Sequence, residues 1–454
     1  MNIYDVTNPK APTPLAEGIG DSTVNGQGKK AANEIHSVFA WDAGNRAYAV
    51  IVDNEGKDVD IMDITDPKKP FLTAEYDLDE TFPQIRQAAP SNLDEVFLHD
   101  MVVKEIGGRQ VMMLSYWDAG YVKVDFTDVQ KPVYLADTDF TNPDPEAAES
   151  GFIVPPEGNG HQSEFTSDNA YVVGAGEDFN PYSLTSRNVT DGTNISGSQG
   201  SDTTPLEPGK TITGPGVFVG RACDGDAAVP AGGDGTQIAV VERGACDFTV
   251  KVANVIEAGG YEAVLIFNRT AADGCSTPLS MSVAGDIPTF GVATRAQGFA
   301  IFDAAYDDAA CQAGDGTQQA PIPLGTTGDT LTFSSAFDGW GYVHLFRNQN
   351  GKMTELDTYA IPEAHDPKFA EGFGDLSVHE VAVSQEDENR LYFSYYSGGF
   401  RVAEIENDQI VEKDHYIDEA GNNFWGVQVF EQGGTEYVAA SDRDYGLWIF
   451  EYNG

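Results

Sequence analysis

The sequence predicts a mainly β protein: a β-propeller of four-stranded blades, with a small α/β domain inserted in one blade. Three observations carry this. A phrase with Asp, Thr and Pro at fixed places recurs, as "IYDVTNPKAP" from Ile3, "IMDITDPKKP" from Ile61 and "KVDFTDVQKP" from Lys123. Around it lie short apolar runs rich in β-branched and aromatic residues and bounded by Gly, Asp, Asn or Pro, which is the pattern of strands and turns. One window, 213–312, breaks that pattern with a helical period and holds all four cysteines.

The cleanest repeat spans 34–78 as "EIHSVFAW", "RAYAVIVD", "VDIMDITDP" and "FLTAEYDL". The same order returns from "FLHDMVV" and from "SVHEVAV", and a last unit, "FWGVQVF", "EYVAASD", "GLWIFEY", has only three strands. Four strands in about 40–45 residues is the size of a propeller blade. A lone blade cannot bury its faces, so neighbours must stack around an axis. Five first strands are recognisable, centred on His36, His99, His161, His379 and Trp425. The chain opens and ends on third-strand sequences, so the expectation is a ring of five to seven blades, six favoured, and a chain that is a fragment or processed form.

A formal charge of -46 excludes general affinity for nucleic acid or anionic membrane, because phosphate and protein repel. No apolar run approaches the roughly 18 residues of a membrane span. Cys223, Cys246, Cys275 and Cys311 fall in one segment, an even count that implies two disulfides and an oxidising compartment. Three pairings are possible, and sequence order favours Cys223 with Cys246 and Cys275 with Cys311. The spacings contain no CxxC pair, which argues against a zinc site. The first residues have neither a basic start nor an apolar stretch of signal-peptide type, so an extracellular or cell-surface location rests on the cysteines.

The organisation expected is propeller over 1–185, a polar linker over 186–212, the inserted domain over 213–312, a second linker over 313–333, and propeller again over 334–454. Within the insertion, Gly235 to Asn268 reads as strand, helix and strand. Phe248, Val252, Val255 and Ile256 sit at helical spacing, with Gly259 as the stop. Arg243-Gly244, Cys246, Phe248, Lys251, Ala258-Gly259 and Asn268, set between two apolar strands, closely resemble the signature of the protease-associated (PA) domain. The resemblance covers about 213–310. It implies a small α/β unit, usually without catalytic residues, that recognises a substrate or partner or acts as a lid beside an enzyme.

The repeats resemble LVIVD-repeat β-propellers, including secreted choice-of-anchor proteins of bacteria and archaea, best in "VDIMDITDPKKP" and "YGLWIFEY". That resemblance implies a propeller and an extracytoplasmic setting. A peptidase finds no support: "HEVAV" from His379 lacks the second histidine of HExxH, and there is no G-x-S-x-G.

His36, His99, His161 and His379 open equivalent innermost strands, so their imidazoles are expected at one rim, with Asp100, Glu164 and Glu380 close by. Imidazole with carboxylate suits a transition metal. The competing reading is structural and weightier: each histidine ties its blade to the next by bonding a backbone carbonyl, and repetition follows from duplication alone. Asp63, Thr65 and Asp66 read as turn residues. "SDRDYG" from Ser441, and Asp224 with Asp226, are calcium candidates that fit solvated turns better. Asn188, Asn194 and Asn268 match glycosylation sequons.

The function expected is a secreted, non-catalytic binding or scaffolding protein. Its propeller rim and PA domain would recognise a protein, peptide or glycan, with no nucleic-acid binding and no membrane insertion. The alternative is a metal-dependent oxidoreductase or hydrolase using the ring of blade histidines. The cofactor is left open, with a divalent metal or calcium as candidates.

Overall fold

The recurring phrase turns the chain. Asp5, Asp63 and Asp125 each accept, through Oδ1, the backbone N–H of the threonine two residues on, at 2.9 Å in all three copies. This local side-chain bond ends a third strand and aims the fourth. The computed structural model describes residues 1–20, 35–53, 58–90, 92–93, 95–195, 197–200, 202–207, 209–275, 281, 283–291 and 294–454.

It is mainly β and holds a propeller-like ring of five small sheets. Blade 1 is Ile35–Asp42, Ala47–Asp53, Val59–Asp63 and Phe71–Tyr76, and blade 2 is Asp100–Ile106, Arg109–Ser115, Tyr121–Asp125 and Val133–Asp137. Blade 3 is Gly160–Phe165, Tyr171–Gly176, Val343–Arg347 and Thr354–Tyr359, and blade 4 is Glu380–Val383, Arg390–Tyr395, Gly399–Glu406 and Gln409–Tyr416. Blade 5 has three strands, Phe424–Gln432, Thr435–Asp442 and Gly446–Phe450.

Five sheets among the described residues fall within the expected range of five to seven blades. What stands beside the ring is a two-stranded sheet, Ile3–Asp5 with Thr13–Ala16, and flanking Met1 and Ile19 pack on Ala49, Ile51 and Met62 of blade 1.

Period-two side chains interlock the blades. Val50, Val52, Val59 and Ile61 of blade 1 pack with Met101, Met112 and Leu114 of blade 2, and Val173 and Val343 of blade 3 pack with Val381 and Phe393 of blade 4. Each fully buried side chain of this size contributes about 1.5–3 kcal/mol. The outer faces of the first and last blades are open. Val38 is 51% exposed where its counterparts Met101 and Val381 are 2% and 1%, and Leu447 on the last strand is 70% exposed.

In blade 3 the second strand pairs directly with Val343–Arg347, from Tyr171 opposite Arg347 to Ala175 opposite Val343. The insertion therefore sits in the turn between strands two and three. The chain divides there into two compact units, Met1–Pro181 with Asp338–Gly454, and Tyr182–Phe337.

The second unit is built on a seven-stranded sheet. Gln237–Glu242, Tyr261–Phe267 and Thr289–Gly291 run parallel, and Phe248–Ala258 is the helix after the first of them. That helix stops at Gly259, whose φ of +71° suits glycine. The stretches read as linkers supply strands to the same sheet: Tyr182–Asn188 and Thr211–Phe218 both pair with Thr327–Phe337. Ser and Thr hide this pattern in the sequence. In "TLTFSSAF" Leu331, Phe333 and Phe337 are buried to 0–1% exposure while hydroxyl residues alternate with them. The disulfides join Cys223 to Cys246 and Cys275 to Cys311. Among the described residues no helix is long and apolar enough to cross a membrane.

Candidate functional site at the propeller centre

The first strands of blades 1 to 4 bring their histidines into one row. Ring centroids are 4.5 Å apart for His36 and His99, 4.1 Å for His99 and His161, and 4.2 Å for His161 and His379. Trp425, opening blade 5, continues the row 4.8 Å from His379. Burial grades along it: His36 is exposed and His99 half-buried, whereas His161 and His379 are each 3% exposed.

Two of the imidazoles tie blades together. His99 Nδ1 lies 3.1 Å from the His161 carbonyl and His379 Nδ1 lies 2.7 Å from the Trp425 carbonyl. A carbonyl can only accept, so in both rings Nδ1 carries the proton and Nε2 keeps a lone pair. Burial lowers the His99 value to about 4 and the His379 value to about 3, and pushes His161 well below the usual range with help from its neighbouring histidines. All three rings are therefore neutral at neutral pH.

Glu177 meets the buried pair. Its Oε2 is 3.4 Å from His161 Nε2 and its Oε1 is 3.8 Å from His379 Nε2. These are ion-pair distances, but with neutral rings the contacts are polar rather than ionic. Burial raises the carboxyl to about 7, against the opposing effect of the Tyr396 hydroxyl, which donates to Oε1 at 2.5 Å. The ligand-type atoms of His161, Glu177 and His379 all lie within 4.8 Å of one another.

The blade repeat shows how Glu177 came to be there. Asp100, Gln162, Glu380 and Gly426 pair with Ser115, Ala175, Ser394 and Ser441. Two residues beyond those partners stand Trp117, Glu177, Tyr396 and Arg443. Trp117 and Tyr396 hold left-handed backbone, φ +48° and +32°, and each places its ring 5.2 Å from its own blade's histidine. Blade 3 has a carboxylate where those blades have an aromatic ring. Sequence reading missed Glu177 because it compared the blades' first strands; extending the comparison past the second strands brings it out.

The carboxylates expected beside the histidines take part in the blades' mutual contacts. Glu380 Oε2 accepts the Val427 N–H of the next blade at 3.0 Å, and Asp100 Oδ1 accepts the Ser37 hydroxyl at 3.2 Å. Glu380 Oε1 is 3.9 Å from His379 Nδ1, the nitrogen already committed to Trp425. Gln162 makes a tie of the same kind, accepting the Val381 N–H at 3.0 Å. Burial raises Asp100 to about 6, Glu164 to about 8 and Glu380 to about 7, and repulsion from Asp100 adds to the last two.

In the insertion the signature residues serve the fold. Lys251 is fully buried and its Nζ donates to the carbonyls of Arg221 and Gly244, both at 2.7 Å, around the Cys223–Cys246 bridge. Arg243 donates to Asn268 Oδ1 at 2.9 Å, and Asn268 is itself buried. Phe248 and the helix end at Ala258-Gly259 close the same side of the sheet. The sequon residues Asn188 and Asn268 are 2% and 0% exposed, so neither side chain is open to modification. The calcium candidates are turn-formers: Asp442 accepts the N–H groups of Asp444 and Tyr445 at 2.8 and 2.9 Å, Asp224 accepts from Asn254 and Asp226 from Arg221.

No curated protein matches the chain. Solved structures give a partial likeness. BSAP, a zinc aminopeptidase from Bacillus subtilis, aligns at 18% identity over 39% of this chain and 36% of that one, with a TM-score of 0.25. An aminopeptidase from Aneurinibacillus sp. strain AM-1 aligns at 21% identity over 44% and 40%, with a TM-score of 0.23. The chain thus spans less than half of either peptidase, and likeness at this level carries no statement about activity. Residues 211–301 match the model of the PA domain, so the unit inserted in blade 3 contains a PA domain.

Proposed function

We propose that this protein is an extracellular or cell-surface recognition module that binds a protein, peptide or glycan and performs no chemistry of its own. The observation that carries this reading is the placement of a PA domain in a turn of one propeller blade. Loops on a rigid scaffold are where binding surfaces are built. The insertion leaves the ladder of blade 3 intact. Two disulfides fit an oxidising compartment. The Arg243, Lys251 and Asn268 side chains are spent on internal bonds, which leaves recognition to the exposed loops of the domain.

Arrays of glycans and of peptides, probed with the full chain and with a version in which Pro181 is joined to Asp338, test the proposal. The Asp338 amide lies 3.2 Å from the Pro181 carbonyl, so this junction is short. Ligands retained by the full chain and lost with the insertion support it. Turnover of peptide or ester substrates that co-purifies with the chain would overturn it in favour of a metal-dependent enzyme, the reading favoured by the ligand-type side chains at the propeller centre.

A further inference from the structure

We propose that His161, His379 and Glu177 form a binding site for one divalent transition metal ion, zinc foremost, at the centre of the propeller. Three side chains from three separate strand ends converge there, two imidazoles and one carboxylate, with their donor atoms within 4.8 Å of one another. A tetrahedral zinc ion with bonds of about 2.0–2.1 Å holds its ligand atoms about 3.3 Å apart. Glu177 lies 3.4 Å from His161 through Oε2 and 3.8 Å from His379 through Oε1, so closure on one ion draws the three donors inward from the 4.8 Å that bounds the set.

The surroundings are those of a ligand set. His379 gives its Nδ1 proton to the Trp425 carbonyl, which fixes the ring and turns the Nε2 lone pair toward Glu177. Tyr396 donates to Oε1 of Glu177, leaving Oε2 facing His161. A structural role accounts for the Nδ1 bonds; Glu177 for its part accepts from Tyr396 and is favoured by the charge of Arg443, yet faces two imidazole Nε2 atoms as well. Among the described residues no Lys or Arg lies within ion-pair distance of it. Burying such a group is costly unless it is paired or coordinates a metal. At the corresponding position blades 2 and 4 carry an aromatic residue and blade 5 carries Arg443, so among these four blades the carboxylate is specific to blade 3. Imidazole donors select zinc and its neighbours over calcium and magnesium, which take oxygen. His99 and the exposed His36 continue the row from the buried pair toward solvent.

The test uses the full chain stripped with a chelator and titrated with zinc alone, followed by calorimetry and by elemental analysis after gel filtration. Cobalt(II) serves as a spectroscopic stand-in. The expected result is one zinc per chain, retained against excess calcium, and a cobalt spectrum of four- or five-coordinate nitrogen–oxygen type that zinc bleaches. E177Q and H379Q should each weaken binding at least 100-fold, and Y396F, which removes only the outer hydrogen bond, about 10-fold. E177Q keeps the side-chain shape and an acceptor for Tyr396, and circular dichroism checks its fold. Should H379Q fail to fold, E177Q and the cobalt spectrum decide. No stoichiometric uptake, uptake unchanged in folded E177Q, or an all-oxygen six-coordinate cobalt spectrum overturns the proposal. The outcome is independent of the recognition reading, because zinc uptake does not depend on any ligand of the PA domain.

Discussion

The PA-containing unit and the propeller centre both bury ionisable groups, and they treat them in opposite ways. In the insertion each such group has a complementary partner. Glu242 and Arg295, 1% and 3% exposed, pair at 2.6 Å; Glu242 also accepts the Ala320 N–H, Arg295 also donates to the Asn268 carbonyl, and its guanidinium lies over Phe267 and Phe299. At the propeller centre like is set beside like: imidazole on imidazole, and carboxyl facing carboxyl through Asp100, Glu164 and Glu380. A complementary set stabilises one fold. A like-on-like set perturbs proton affinities and leaves lone pairs unspent, which is the condition of a site waiting for a ligand.

The largest effect that follows is in the insertion. Glu242→Ala strands the Arg295 guanidinium in the core and removes the acceptor of the Ala320 amide, at a cost of about 3–5 kcal/mol. In a thermal melt the insertion's transition should fall or vanish while the propeller's holds. Next comes the paired change Cys223→Ser with Cys246→Ser. It opens a loop with a sequence separation of 23, worth about 3 kcal/mol on chain-entropy grounds, and loosens the two carbonyls that Lys251 bonds. If either change lowers both transitions equally, the two regions are not the separate units drawn here.

A pH series sharpens the same contrast. The folded-state values of Asp100, Glu146 and Glu164 are raised by burial to about 6, 7 and 8. A carboxyl whose folded value lies above its unfolded one binds more protons folded than unfolded across the interval between them. Its stabilising contribution is therefore complete near pH 4 and is lost as pH rises through 6 to 8. The propeller's melting temperature should rise by several degrees from pH 8 to pH 5. Lys251 in the insertion behaves otherwise: burial lowers it to about 8, so its contribution changes only above that pH. Calorimetry at five pH values reads both, and a propeller that loses stability on acidification to pH 5 removes the like-on-like description.

Much of this was legible in the sequence. The Asp-Thr phrase marked third strands because its hydrogen bond is local, two residues long, and survives any tertiary context. The histidines marked first strands, and the break after blade 3's second strand marked the insertion. Three things were not legible. Ser and Thr at alternate positions made the strands around Asn188 and Leu331 look like linkers, since period two was written in hydroxyl residues rather than charges. Blade number depended on what lies against Val38 and Leu447, which a local pattern does not encode. Glu177 lay outside the strands being compared, in a turn whose identity differs from blade to blade. The sequence also drew attention to Asp100 and Glu380, neighbours of the histidines along the chain. Alternation sends adjacent side chains to opposite faces, and the carboxylates of Asp100 and Glu380 accept from Ser37 and Val427 in the neighbouring blades.

The smallest effect concerns the ties between blades. Gln162 follows His161, is 6% exposed, and accepts the Val381 N–H across the boundary between blades 3 and 4. Gln162→Leu keeps the volume and strands that amide, which costs about 1–3 kcal/mol for a buried donor left unsatisfied. The propeller transition should shift down slightly and zinc uptake should persist, because the His161 and Glu177 side chains do not bond Gln162. Comparing this variant with Glu242→Ala by urea titration ranks the two regions directly. If the loss at Gln162 equals or exceeds the loss at Glu242, the single inter-blade bonds carry the stability that is here assigned to complementary burial in the insertion. A loss well below it leaves the propeller centre as the region whose polar groups are held in place by packing and are free to serve a bound ion.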